Sequence, residues 1–253
     1  MNFRLDGRVA LVTGGSKGLG KAMARAFAMA GADVIISSRH ADELQSALPE
    51  ILQGTDRRGH TIVADLSQRS DAERLAQEAH AHFGRVDILV NNAGSNIPES
   101  VESIRDASWD RLLELNLSSC MALSRALAPQ MAARQWGRII HISSVMGLSS
   151  KAGRTAYSAT KAALIGMTRA MALDLGSDGI TVNCLAPGPF LTDLPLSVLS
   201  VEEQESFASR TALGRWGQPP EMMGPALLLA SDAGSYITGS TLVVDGGAMC
   251  RTL

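Results

Sequence analysis

The sequence predicts an α/β domain: a doubly wound, seven-stranded parallel sheet with helices on both faces. Two observations carry this. Short β-branched runs alternate with helical stretches from one end of the chain to the other, the pattern of a parallel sheet connected by helices. Several of those runs are apolar at nearly every position, as strands covered on both faces require. A third observation sets the scale. The chain has 253 residues, 45% hydrophobic and 19% charged, enough to bury a core in one unit. We therefore read 1–253 as a single domain.

The elements follow in order. RVALVT (8–13) reads as the first strand, and 17–30 as a helix with Ala22, Ala26, Phe27 and Ala30 at helical spacing. DVIISS (33–38) is the second strand and 41–52 the second helix. HTIVADL (60–66) is the third strand and 68–83 the third helix. VDILVNNAG (86–94) is the fourth strand. A long helix over 106–134 follows, bent near its end by Pro129. GRIIHISS (137–144) is the fifth strand, and 155–175 a second long helix, stopped at Gly176. GITVNCLAPG (179–188) is the sixth strand, 219–230 a further helix, and STLVVDGG (240–247) the last strand. Right-handed crossovers wind such a sheet on both sides. Ligands then bind at the carboxyl ends of the strands, here just after Thr13, Ser38, Ala64, Val90, Ile142 and Leu185.

Composition excludes several classes of function. Net charge is −2, so no basic field exists to grip a nucleic-acid backbone. No apolar run approaches a membrane span, and the apolar stretch at 9–12 is too short for a signal-peptide core. Cys120, Cys184 and Cys250 lie far apart, and the histidines at 40, 60, 80, 82 and 141 show no ligand spacing. No disulfide framework or metal site is expected, and reduced cysteines suit the cytoplasm. Aromatic residues make up only 4% of the chain and two of them are tyrosines, so the position of each tyrosine is informative. Tyr236, beside Ile237-Thr238-Gly239, reads as structural.

After the first strand comes Thr13-Gly14-Gly15-Ser16-Lys17-Gly18-Leu19-Gly20. Glycines at 14, 18 and 20 allow a tight turn and a close backbone approach. They also aim a helix N-terminus at a pyrophosphate. Between a strand and a helix, this turn predicts a Rossmann-type dinucleotide site. An acidic residue at the end of the second strand would bond the ribose 2′-hydroxyl of NAD. Ser38 stands there instead, and Arg39 follows. With Lys17 nearby, this favours a 2′-phosphate: NADP(H) is preferred and NAD(H) possible.

Tyr157 and Lys161 are spaced i,i+4 and so emerge on one helical face. A tyrosine alone holds its proton too tightly to act as a base near neutrality. A neighbouring ammonium stabilises the phenolate and makes it a usable general acid or base. Ser144, just past the fifth strand, can place a hydroxyl on the same substrate oxygen.

Together these features resemble the short-chain dehydrogenase/reductase family in its short single-domain branch, from Leu5 to Gly247. The residues carrying the likeness are the Thr13–Gly20 turn, Asp65, Asn91-Asn92-Ala93-Gly94, Asn116, Ser143-Ser144, Tyr157 with Lys161, and Pro187-Gly188. The resemblance implies hydride transfer between a nicotinamide and a carbonyl or secondary alcohol. Tyr157 would exchange the proton and Ser144 would hydrogen-bond the oxygen. Lys161 would bind the nicotinamide ribose, and Asn116 would hold a water linking Lys161 to solvent. Asp65 would accept from the adenine amino group and Leu66 would supply a backbone donor. Asn92, Ala93 and Gly94 would border the adenine ribose; Pro187, Gly188 and Thr192 would lie beside the nicotinamide. The long helices 106–134 and 155–175, with Met121, Leu123, Met167 and Met171, would pair between subunits of a homotetramer.

Substrate choice falls to the loops after the fourth, fifth and sixth strands. Ser95, Asn96, Val145, Met146 and Phe190 are the candidate pocket residues, with Ile97, Lys151 and Arg154 at its edge. The long segment 189–216, with Leu191, Leu194, Leu196 and Leu199, is a candidate lid. Gly94-Ser95-Asn96-Ile97 and 188–192 resemble the gluconate 5-dehydrogenase branch, which implies a keto-sugar acid or polyol. The chain is also similar to 3-oxoacyl-acyl-carrier-protein reductases, so a 3-oxoacyl thioester is the alternative substrate. A non-catalytic dinucleotide-binding regulator is the alternative from another class; the intact Ser144, Tyr157 and Lys161 argue against it.

Overall fold

The computed structural model describes residues 3–192 and 200–250. Seven strands are β1 (Val9–Thr13), β2 (Asp33–Ser38), β3 (Gly59–Val63), β4 (Ile88–Asn91), β5 (Gly137–Ile142), β6 (Ile180–Pro187) and β7 (Thr241–Val244). They form one parallel sheet in the order β3-β2-β1-β4-β5-β6-β7. This is the doubly wound, Rossmann-type arrangement. Strand order reverses between β1 and β4, which opens a crevice above their carboxyl ends.

Among the described residues eight α-helices cover the faces: α1 (Gly18–Met29), α2 (Ala41–Leu52), α3 (Arg69–Phe83), α4 (Asp106–Leu113), α5 (Ser119–Ala132), α6 (Thr155–Leu175), α7 (Val201–Arg210) and α8 (Met223–Ala230). Side chains alternate across the pleat. Ala10, Val12, Ile36 and Ile140 therefore pack with Met23 and Phe27 of α1, Ile51 of α2 and Leu229 of α8. Leu11, Ile35, Leu89 and Ile139 face the other way, onto Leu75 of α3 and Leu127 and Met131 of α5. Each fully buried aliphatic side chain contributes about 1.5–3 kcal/mol. The two layers fix the carboxyl edge of the sheet as a rigid platform.

Four expectations are corrected. The helix expected over 106–134 is interrupted: α4 and α5 are joined by a π-helical turn, Glu114–Ser118, in which the Ser119 N–H reaches back five residues to the Glu114 carbonyl. Gly176 does not end α6 sharply. It keeps helical geometry (φ −61°), a short 3₁₀ turn follows, and the left-handed residue is Gly179 at φ 71°. A Cβ at Gly179 would sit 2.2 Å from the Gln135 carbonyl oxygen, so glycine is required there. The helix expected over 219–230 opens as a 3₁₀ turn, Pro219–Met222, before α8. Every strand except the second is shorter than the run that predicted it, most of all the third (Gly59–Val63), fourth (Ile88–Asn91) and seventh (Thr241–Val244). Of the lid residues, Leu194, Leu196 and Leu199 lie outside the described residues.

Candidate active site

A groove of about 840 Å³ runs along the carboxyl edge, from Ser38 and Arg39 at one end to Phe190, Phe207 and Trp216 at the other. Its floor begins at the glycine turn. Gly14 and Gly18 have φ of +62° and +55°, and a Cβ on Gly20 would lie 2.2 Å from the Gly14 carbonyl oxygen. The turn can close only with glycine there. No side chain caps the N-terminus of α1, so its free N–H groups face the groove beside Ser16, Lys17 and Leu19. This cradle fits a dinucleotide pyrophosphate.

Thr13 braces the turn. Its hydroxyl oxygen accepts from the N–H groups of Asn92 and Ala93 (both 3.0 Å), and Asn92 Nδ2 donates to the carbonyls of Thr13 (2.8 Å) and Gly14 (3.2 Å). Asn92, Ala93 and Gly94 thus form the groove wall and buttress the turn at once. At the outer end, Ser38 Oγ accepts from the His40 N–H (3.2 Å) and Arg39 is exposed on the groove. Sequence reasoning missed Glu43. It accepts from Ser16 Oγ at 2.9 Å and pairs with Lys17 Nζ at 3.2 Å. Burial opposes its charge, yet those two hydrogen bonds hold its carboxyl below the usual range. Asp65 does not line the groove. Its Oδ1 accepts from the Ser67 N–H (3.0 Å) and hydroxyl (2.8 Å), while Ala64 and Leu66 form the wall.

The catalytic candidates gather at the middle. Lys161 is only 4% exposed, and its Nζ donates to the Ile142 carbonyl at the end of β5 (2.7 Å). The ammonium stands 5.6 Å from the Tyr157 ring centre. Ser143 Oγ donates to the Lys161 carbonyl at 2.7 Å, so two bonds tie α6 to the tip of β5. Ser144 Oγ accepts from the Met146 N–H at 3.0 Å, which leaves its own proton to donate into the groove. Ser144, Tyr157 and Lys161 line one stretch of wall with Gly94, Pro187, Gly188 and Thr192.

Asn116 sits in the π turn and is fully buried. Its Oδ1 accepts from the Ser95 N–H (2.9 Å), and its Nδ2 donates to the Ser95 carbonyl (2.9 Å) and to Thr160 Oγ1 (3.2 Å). The side chain therefore clamps the loop after β4 to α6. A π turn carries an extra residue, so carbonyls along it lose their usual partners. Ser119 Oγ takes up the Leu115 carbonyl at 2.7 Å, and Cys120 Sγ lies 3.4 Å from the Asn116 carbonyl.

Further residues line the groove around Tyr157. Ser95, Asn96, Val145, Met146 and Phe190 all line it; Ile97 does not. Phe207 and Trp216 meet edge to face at 5.9 Å, and Trp216 Nε1 donates to the Gln204 carbonyl at 2.8 Å. Neither was singled out from sequence; an isolated tryptophan after a Gly-Arg pair carries no periodic signal. Tyr236, read as structural, is fully exposed, so Tyr157 is the tyrosine of the groove. Among the described residues no three His, Cys, Asp or Glu side chains gather as a metal set.

A family model described as enoyl-(acyl carrier protein) reductase matches residues 14–249. The chain is 38% identical to the 3-oxoacyl-[acyl-carrier-protein] reductase of Escherichia coli, covering 98% of both chains. Among solved structures it resembles a putative NAD(P)-dependent gluconate 5-dehydrogenase from Beutenbergia cavernae with bound NADP. That pair has TM-score 0.94 and 38% identity, over 99% of this chain and all of that one. It also resembles a gluconate 5-dehydrogenase from Burkholderia cenocepacia in complex with NADP and tartrate. Here the TM-score is 0.93 and identity 36%, over 99% of this chain and 98% of that one.

Proposed function

The chain belongs to the short-chain dehydrogenase/reductase family of oxidoreductases, and on that premise we propose an NADP(H)-dependent enzyme acting on a keto-sugar acid or polyol. The observation that carries this reading is the single groove shared by the glycine turn and by Ser144, Tyr157 and Lys161. A nicotinamide dinucleotide, when bound, supplies or takes up the hydride. The residues do the rest. In reduction Tyr157 Oη gives its proton to the substrate oxygen, and in oxidation it removes the hydroxyl proton. Ser144, oriented by Met146 N–H, donates to that same oxygen. The Lys161 ammonium, held by the Ile142 carbonyl, stabilises the phenolate left behind. Lys161 and Ser144 are each held by a hydrogen bond before reaction, which is where electrostatic stabilisation acts most strongly.

Preference for NADP(H) rests on Ser38 in place of an acid and on Arg39 exposed at the groove. NADP bound to two similar structures agrees with it. The gluconate 5-dehydrogenases among them favour the sugar-acid reading. The Escherichia coli reductase keeps a 3-oxoacyl thioester as the second reading. A homotetramer is part of the same proposal, supported by half-buried Met121, Met167 and Met171 and by Leu173, 86% exposed on α6. Leu123, which was counted toward that interface, is instead buried under the sheet. Among the described residues no helix is long and apolar enough to cross a membrane; a cytoplasmic location is part of the proposal.

The test is NADPH oxidation with a panel spanning keto-sugar acids, simple ketones and oxoacyl thioesters. Tyr157→Phe is expected to lower kcat about 10²–10⁴-fold while NADPH binding, read by fluorescence, survives. Turnover retained in that variant would remove the mechanism.

A further inference from the structure

On the groove wall stands a cation that the proposed proton transfer does not use. Arg154 is the residue just before α6, one helical turn ahead of Tyr157, so the two side chains emerge close together. It is only 9% exposed, and it lines the groove. Among the described residues the one hydrogen bond of its guanidinium is a long contact from Nη1 to the carbonyl of its own neighbour, Gly153, at 3.4 Å. Among the described residues no carboxylate lies within ion-pair distance of it.

A buried guanidinium without a counter-ion is costly, and Arg154 cannot escape the cost by losing its proton. Its surroundings add to that cost. Lys151 and Arg210 line the same groove. Lys151 is pushed down by burial and then by Arg154, so these cations sense one another. The nearby acid is Glu203 of α7, and its Oε2 accepts from the Ser200 N–H in a capping box at 3.0 Å. Burial pushes Arg154 down as well, with Glu203 and Tyr157 pulling the other way.

We propose that Arg154 binds the carboxylate of the substrate, so that the groove selects hydroxy or keto acids over their uncharged counterparts. Guanidinium and carboxylate match as a two-pronged pair. With the carboxylate on Arg154, a carbon a few bonds away reaches Tyr157 and Ser144. Lys151, whose Nζ lies 4.9 Å from the Phe207 ring centre, and exposed Arg210 attract the acid at the mouth. A buried position reads a small group inside the pocket, which favours a free acid over the distant phosphate of a thioester carrier. This rests on the proposed oxidoreductase reading and deepens it by naming the substrate's charge.

The experiment separates the two. Gluconate, tartrate and 3-hydroxybutyrate, each beside its amide, are titrated calorimetrically into the protein with and without NADPH. Wild type, Arg154→Gln and Arg154→Lys are compared, with circular dichroism to confirm folding. Wild type is expected to prefer at least one acid over its amide by about tenfold or more. Arg154→Gln should bring that preference to within about twofold, and Arg154→Lys should restore part of it. Equal binding of acids and amides by wild type would overturn the proposal. So would an undiminished preference in folded Arg154→Gln. An acid preference lost in Arg154→Gln, with no hydride transfer to any carbonyl in the panel, would uphold this site and refute the oxidoreductase reading alone.

Discussion

His141 should make the protein lose stability on mild acidification. It lies on β5 with no exposed surface. Asn91 Nδ2, which can only donate, stands 3.1 Å from Nδ1, so Nδ1 accepts and Nε2 carries the proton. Nε2 has no partner. Burial first, and then the Lys161 ammonium, push the ring from 6.5 down to about 4. The folded protein therefore keeps His141 neutral where the unfolded chain would protonate it. Its contribution is present in full above about pH 6.5 and is lost as pH falls toward 4. Linkage gives a loss of about 2 kcal/mol at pH 5 and about 3 kcal/mol in full. Two assays read this. Imidazole resonances followed by NMR from pH 8 to 4 should show one histidine that does not titrate above pH 5. Urea midpoints at pH 8, 6.5 and 5 should fall less steeply in His141→Gln, which keeps a polar partner for Asn91. A His141 ring titrating above pH 6, or the same pH dependence in the variant, would refute the reasoning.

The cofactor end carries two further predictions. Arg39→Asp removes the exposed guanidinium beside Ser38 and introduces a like charge toward a 2′-phosphate. It should raise KM for NADP⁺ about 10–100-fold and change KM for NAD⁺ much less; unchanged selectivity would refute the assignment. Glu43→Gln keeps the bond to Ser16 but removes the carboxylate 3.2 Å from Lys17. The kcat/KM ratio for NADP⁺ over NAD⁺ should rise severalfold, and steady-state kinetics with both cofactors would show a fall if Glu43 instead positions the turn.

Residues whose chemistry demands one side-chain type were legible in the sequence. Glycine at 14, 18 and 20, and Tyr157 with Lys161, are cases where no other residue does the work, and all of them line the groove. Boundaries set by local signals were legible too: β2 and α6 span the residues their patterns mark. What escaped depends on partners distant in sequence. Glu43 meets Ser16 only because β1 and β2 lie side by side. The fourth strand stops at Asn91, and the next two N–H groups bond the side-chain Oγ1 of Thr13 rather than a backbone carbonyl of the neighbouring strand. The π turn left no mark on the periodicity of 106–134, since its freed carbonyl is taken up by Ser119, an unremarkable serine.

The spacing of Tyr157 and Lys161 places them on one face of a helix, but it cannot say which way that face is turned. For an amphipathic helix the apolar stripe would decide. α6 offers no such guide: Leu164 and Ile165 are buried, Leu173 is 86% exposed, and apolar residues appear on every side. Two polar bonds settle the rotation instead. Ser143 Oγ holds the Lys161 carbonyl, and Lys161 Nζ holds the Ile142 carbonyl. One comes from the last residue of β5 and the other from the residue that follows it. The same strand end supplies Ser144. One short segment, 142–144, thus orients the helix that carries Tyr157, the proposed proton donor, and furnishes the Ser144 hydroxyl, so the helix is anchored to the strand end by bonds of a few ångströms rather than by the distant core.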